Sequence, residues 1–154
     1  MKADTTIDVL ILGSGPAALS IAASLCEESL KVAILSPNSE KEPWPYTYGV
    51  WGKEVDEFGL GHLIEHRWSN TVSYFGVGSS ENQGLQNKQT IHNQDYGLFD
   101  KRKLQNYWLN QCKKGKFSWH QGLAKELDIN LIRSSVETSE GENLDARLII
   151  DATG

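Results

Sequence analysis

Apolar positions along this chain gather into short unbroken runs near its two ends and thin out between them. Ile7–Leu12 and Lys31–Leu35 are runs of the kind that fill strands covered on both faces. Between them, Pro16 to Glu28 repeats at helical period and is expected to turn Ile21, Ala22 and Leu25 toward a sheet. Ser36-Pro37-Asn38 ends the second strand. An aromatic loop, Pro43–Trp51, then leads into an acidic stretch and a short helix expected around Leu60–His66. Thr71–Phe75 alternates like a strand, and the polar residues 77–95 read as a loop with little to bury. Asp100 is placed to cap a helix running to about Cys112, with Leu104, Tyr107, Trp108 and Gln111 along one side. Short strands are expected near 117–128 and 129–137, then a turn at Glu140-Gly141 and a closing strand, Ala146–Ala152. The order β-α-β, insertion, helix, β-meander, β predicts an α/β fold, a parallel nucleotide-binding sheet with an antiparallel appendage.

The first strand runs straight into Gly13-Ser-Gly-Pro-Ala-Ala18 and a helix, which is the sequence form of a dinucleotide-binding βαβ unit. Gly13 suits a tight turn, and Gly15 allows the backbone to approach a pyrophosphate. Ala18 takes the third position, where a small residue lets helix and strand pack closely. The helix start, including Pro16 and Ala17, presents N–H groups and partial positive charge to phosphates. An ordinary strand-turn-helix crossover is the alternative. One expected part is replaced: where an acid ends strand two and binds the ribose, this chain has Ser36, with Glu40 and Glu42 following in the loop.

The closing segment Ile149-Ile-Asp-Ala-Thr-Gly154 resembles the Asp-Ala-Thr-Gly element of two-dinucleotide-domain flavoproteins of the glutathione-reductase type. That resemblance implies a Rossmann-like FAD-binding domain, with Asp151 and Gly154 beside the nucleotide. It also implies Lys101 in the place of a cofactor-reaching arginine, and Ala124 where the backbone meets the adenine edge. The insertion at 37–95 would begin a substrate domain, and the chain would be the amino-terminal part of a longer enzyme.

The aromatic segment sharpens the resemblance. Glu42-Pro-Trp-Pro-Tyr-Thr-Tyr-Gly-Val-Trp51, with His66-Arg-Trp68, Thr71-Val-Ser-Tyr-Phe-Gly76 and Tyr96-Gly-Leu-Phe-Asp-Lys101, closely resembles lycopene cyclases of the plant and cyanobacterial type. Such enzymes convert the linear ends of lycopene into β or ε rings. They need FAD, generally in the reduced form with NAD(P)H as electron source, although the reaction is an isomerisation without net redox. Cyclising a polyene end requires protonation of an alkene, ring closure of a tertiary carbocation and loss of a proton. The first step calls for a carboxylic acid kept protonated by an apolar pocket, the second for electron-rich faces. Trp44, Tyr46, Tyr48 and Trp51 are candidates for those faces, and a sheet-edge plug is their alternative reading. By register with the family pattern, Glu54 is the candidate acid and Asp56 a second family acid; a solvated acidic helix start is the alternative reading. A monooxygenase or geranylgeranyl-reductase-like oxidoreductase on the same fold, and a non-catalytic FAD-binding fragment, are the competing functions.

Composition narrows the partners. The 154 residues carry a net charge of -5, which argues against nucleic acid. No apolar run reaches the roughly 20 residues that span a bilayer, and the early first strand leaves no room for a signal peptide. Cys26 and Cys112, far apart in sequence, read as reduced packed thiols of a cytoplasmic protein. No metal is expected. His62-Leu-Ile-Glu-His66 formally matches an inverted zinc-protease motif but lacks its context. Lys113–Lys116 with Lys101–Lys103 could meet anionic lipid, and a membrane-dissolved carotene substrate implies peripheral contact with a photosynthetic membrane.

Overall fold

The two amino-terminal apolar runs lie side by side. In the computed structural model, which describes residues 7–75 and 88–154, β1 (Ile7–Leu12) pairs in parallel with β2 (Lys31–Ser36) and with the last strand, β11 (Asn143–Asp151). β8 (Lys116–Gln121) adds to the far side of β2, also in parallel. The N-terminal half of β11 pairs antiparallel with β10 (Ser134–Thr138), and β10 with β9 (Ala124–Asp128). The result is one six-stranded sheet in the order β8-β2-β1-β11-β10-β9.

Side-chain alternation divides this sheet into two faces. Leu10, Leu12, Ala33 and Leu35 form one buried cluster with Val136, Leu144 and Ala146 of the antiparallel strands. The sheet therefore curls back on itself, and the β10–β11 turn reaches β8 through a His120–Glu142 contact of 3.1 Å. Helix α1 (Pro16–Glu27) packs against β1 and β2, burying Ala18, Leu19, Ala22, Ala23 and Cys26. Ile21, expected to face the sheet, is instead exposed; the small alanines carry the contact and let the helix lie close. Helix α3 (Lys101–Cys112) buries Leu104, as expected, together with Gln105, Leu109 and Cys112, while Tyr107, Trp108 and Gln111 of the expected side are half-buried. The buried Gln105 has its amide engaged, donating from Nε2 to the Glu42 carbonyl at 2.8 Å. The fold class expected from the sequence, an α/β Rossmann-like sheet with an antiparallel appendage, is the one observed.

The chain divides into two compact units, Met1–Trp44 with Leu104–Gly154, and Pro45–Lys103; the sequence had suggested an insertion over 37–95. The second unit is a three-stranded antiparallel sheet of β3 (Gly49–Trp51), β7 (Tyr96–Phe99) and β4 (Ile64–Trp68), with α2 (Gly52–Glu57) and an antiparallel pair of strands, β5 (Val72–Phe75) and β6 (Lys88–Ile91). Here the local expectations needed correction. The Leu60–His66 segment is one 3-10 turn, Gly61–Leu63, followed by strand β4, because β7 offers it a pairing partner. The end of the Pro43–Trp51 loop is a strand for the same reason. Of the polar stretch 77–95, residues 88–91 form β6, while 76–87 lie outside the described residues. In the first unit the expected 117–128 strand is broken at Gly122, whose φ of +148° bends the chain between β8 and β9. The 129–133 stretch is a connection rather than strand.

Candidate functional site

The glycine turn joins β1 to α1 in the first unit. Gly13 has φ +104°, donates its N–H to the Leu35 carbonyl at 2.9 Å, and lies against the closing strand. A Cβ there would come within 2.6 Å of the Ala152 carbonyl oxygen. Gly15, the residue before α1, has nothing within 4 Å of where its Cβ would be. Pro16 is the first helical residue, Ala17 is exposed at the helix start and Ala18 is buried against the sheet. Among the described residues no side chain caps this helix start. The turn is thus closed where it meets Ala152 and open at Gly15, with the positive end of a 12-residue helix facing the opening. That arrangement fits a pyrophosphate.

A hydrogen-bond network props the turn from below. Ser14 Oγ and Ser36 Oγ lie 2.8 Å apart, Asn38 N–H donates to Ser36 Oγ at 3.2 Å, and Trp44 Nε1–H donates to the Ser14 carbonyl at 2.7 Å. Ser36 is buried, and its hydroxyl is engaged by these partners. Trp44, grouped from sequence with the aromatic pocket, is buried at 5% exposure beneath the glycine turn. Sequence reasoning passed over Ser14. Its place between two turn glycines, with a second serine ending β2, was the available signal. Glu40 pairs with Lys113.

Beyond the ends of β2 and β8 lies an open cavity of about 420 Å³, lined by Pro37, Gln121, Gly122, Leu123, Ser139 and Glu140. Its floor is pinned by Gly122 N–H on the Ser36 carbonyl (2.9 Å), Trp119 Nε1–H on Asn38 (3.1 Å) and Gln121 Nε2–H on Pro37 (3.2 Å). Ala124 begins β9, two residues past Gly122, and packs against the core. At the closing strand, Ala152 N–H donates to the Leu12 carbonyl, setting the turn beside Gly13. Asp151 Oδ1 accepts from Thr153 N–H and Oγ1–H at 3.0 and 2.7 Å, which holds its carboxyl below the usual carboxylate range. Gly154 follows with φ +84°.

The second unit carries the other candidates. Glu54 sits exposed in the first turn of α2. Asp56, on the same helix, receives Arg67 Nη1–H at 2.8 Å, and Arg67 also donates to Asp95 at 2.9 Å. The Arg67 guanidinium holds the Asp56 carboxyl below its ordinary range. The three charges interlock over Gly52 and Gly61: a Cβ on Gly52 would overlap the Asp95 carboxylate, and one on Gly61 the Asp56 carboxylate. Tyr46 is 72% exposed, and Tyr48 is half-buried with its phenol pushed up by desolvation. Trp51 is half-buried and meets two other rings, His92 at 5.2 Å and Tyr96 at 5.3 Å. Lys101 donates from Nζ to the Pro45 carbonyl at 3.3 Å. His62 lies in the 3-10 turn and His66 on β4, so they share no helix face.

Comparison with known proteins is consistent along the whole described chain. A family model described as lycopene cyclase protein matches residues 8–154. The chain is 46% identical over 147 residues to the lycopene beta cyclase of Synechococcus elongatus, covering 96% of this chain and 33% of that protein. It is 29% identical over 148 residues to the chloroplastic lycopene beta cyclase of Arabidopsis thaliana, covering 96% and 28%. The chain therefore spans about a third of the length of the curated relatives it matches. Among solved structures, it resembles the halogenase PltM in complex with FAD (TM-score 0.67, 15% identity, 96% of this chain and 34% of that one). It also resembles the amino acid oxidase NikD (TM-score 0.68, 14% identity, 97% and 51%). These structural likenesses establish the fold.

Proposed function

The chain belongs to the lycopene cyclase family, and on that premise we propose that its protein cyclises the linear ends of lycopene or a related carotene, using FAD bound on the first unit. The observation that carries this reading is the match over residues 8–154. It is joined by a glycine turn whose one opening, at Gly15, faces a helix N-terminus. In this reading Gly13, Gly15, Pro16, Ala17 and Ala18 hold the pyrophosphate, and the cavity beside Gly122 and Ala124 takes the adenosine. Ser36 supports the turn through Ser14. Asp151 and Gly154 close the nucleotide side, and Lys101 is the cation nearest the family's cofactor-reaching arginine in register. Reduced FAD, with NAD(P)H as reductant, would supply negative charge that stabilises a carbocation.

The protein's own task is to protonate an alkene and let the cation close. An acid for that step has to be protonated at working pH. Arg67 favours the ionised form of Asp56, which leaves Glu54 as the candidate acid within this chain. Glu54 is exposed on α2, so the bound hydrocarbon has to cover it to keep it protonated, and Asp56 ties its helix to β4. The substrate is a hydrocarbon, and we place the protein at the membrane surface for that reason; no helix among the described residues is long and apolar enough to cross one.

The test is expression of the complete natural coding sequence in a lycopene-accumulating host, with pigment and flavin analysis. Ring-bearing carotenes, formed without stoichiometric consumption of reductant, are the expected result. Flavin-bound protein that leaves lycopene unchanged, or consumes reductant in step with product, would replace cyclisation by a redox function.

A further inference from the structure

The register of the three-stranded sheet in the second unit puts Trp51, Tyr96 and Trp68 directly opposite one another on β3, β7 and β4. Paired positions share a face, so the three rings form one row across the sheet, about 10 Å from first strand to third. Two imidazoles flank the row, His92 beside Trp51 and His66 two residues before Trp68 on β4. His92 meets Trp51 at 5.2 Å and shares a 2.9 Å hydrogen bond with Ser73, while His66 meets Trp68 at 4.5 Å. Gly49 makes the row possible, because a Cβ there would overlap the Tyr96 ring. The next row on this face is Gly49, Leu98 and His66. Neither row contains Lys or Arg. Arg67, between His66 and Trp68, belongs to the opposite face and is neutralised there by Asp56 and Asp95. The sheet thus keeps the Arg67 cation on the face opposite the three rings. Trp68 remains 43% exposed, Trp51 and Tyr96 half-buried.

A row of electron-rich rings without a resident cation is a surface for a transient cation. We propose that the Trp51–Tyr96–Trp68 row is the surface on which the reacting end of the linear polyene lies. Its carbocation is held there from protonation through ring closure. This rests on the cyclase reading above and adds to it Tyr96, Trp68 and the flanking His92 and His66. In the reaction, a proton adds to the terminal alkene and leaves a tertiary cation. A neighbouring double bond donates its electron pair to close the ring, and loss of a proton from an adjacent carbon restores neutrality. No electrons are exchanged.

The experiment compares Trp68→Leu, Tyr96→Leu, Trp68→Phe and Gly49→Ala in the complete natural protein, with Trp108→Phe on α3 as a control. Each is read by cyclisation kinetics on lycopene in mixed micelles, by retained flavin, and by the circular dichroism that achiral lycopene acquires when bound. The leucine variants are expected to lose at least tenfold in kcat (about 1.4 kcal/mol) with KM changed far less. Trp68→Phe, which keeps a π face, should stay within threefold of the parent. Gly49→Ala removes no ring but displaces Tyr96, and should lower kcat as Tyr96→Leu does. Trp68 is at the surface, so its variants report even if a buried substitution fails to fold. Leucine variants that hold flavin and cyclise at the parental rate would overturn the row while leaving the cyclase reading intact. A parent protein that forms no rings would overturn the cyclase reading itself.

Discussion

Gly13 and Gly15 stand two residues apart and are glycine for different reasons. Gly13 has φ +104° and a carbonyl oxygen where its Cβ would go. Gly13→Ala should therefore destabilise the first unit by about 1–3 kcal/mol, seen as a lower midpoint in urea unfolding. Gly15 has an ordinary φ of −71° and open space around it, so the fold tolerates a side chain there. Gly15→Val should unfold like the parent yet purify without flavin, because the new side chain occupies the opening. Full flavin content in that variant would remove the proposed phosphate position. Trp44 shows how one residue's role depends on its hydrogen-bond partner. From sequence it belongs with Tyr46, Tyr48 and Trp51, yet its indole N–H is given to Ser14. Nothing in the local pattern distinguishes a tryptophan that lines a pocket from one that braces a loop.

At the scale of elements, ends and pairings behave differently. Helix ends are local, and α3 illustrates it: Asp100 Oδ1 accepts from Arg102 and Lys103 N–H at 3.1 and 3.0 Å, as the sequence suggested. Asp100→Ala should cost about 1 kcal/mol at neutral pH. The capping amides hold the Asp100 carboxyl below its usual range, and the Lys31 amide does the same for Asp8. A depressed carboxyl stabilises the fold fully above its unfolded value of about 3.9 and loses that contribution as pH falls through its folded value. Asp100→Asn, which caps without titrating, should match the parent at pH 7 and show a shallower loss of stability below about pH 4. Equal acid limbs in a pH series of urea melts would refute the assignment. Strand pairings are not local. Leu60–His66 reads as a helix in isolation, yet it is a 3-10 turn whose continuation from Ile64 becomes β4 by pairing with β7, some thirty residues on.

The whole molecule brings together what the chain keeps apart. Cys26 and Cys112 face each other between α1 and α3, and burial pushes both thiols up, Cys112 to about 12. A thiol reagent should therefore label native protein only as fast as it unfolds, and denatured protein at once. Rapid labelling of the native form would mean that the two helices do not pack as described. Three lysines of the basic stretches have partners within the chain, Lys113 with Glu40, Lys114 with Gln111 and Lys103 with Asp100.

What the sequence determined by itself is the frame: the βαβ unit, the glycine turn, the capped helix, the closing strand and the family. Each depends on short-range geometry, since apolar period, positive φ and side-chain caps act within a few residues. Only the tertiary structure decided the rest. It turned the end of a helical pattern into β4, joined the Ser36 hydroxyl at the end of β2 to Ser14, committed Asp56 to Arg67, and aligned Trp51, Tyr96 and Trp68 across three strands. Those outcomes depend on register between segments distant in sequence. A shift of one residue in any pairing would send every side chain of that strand to the other face.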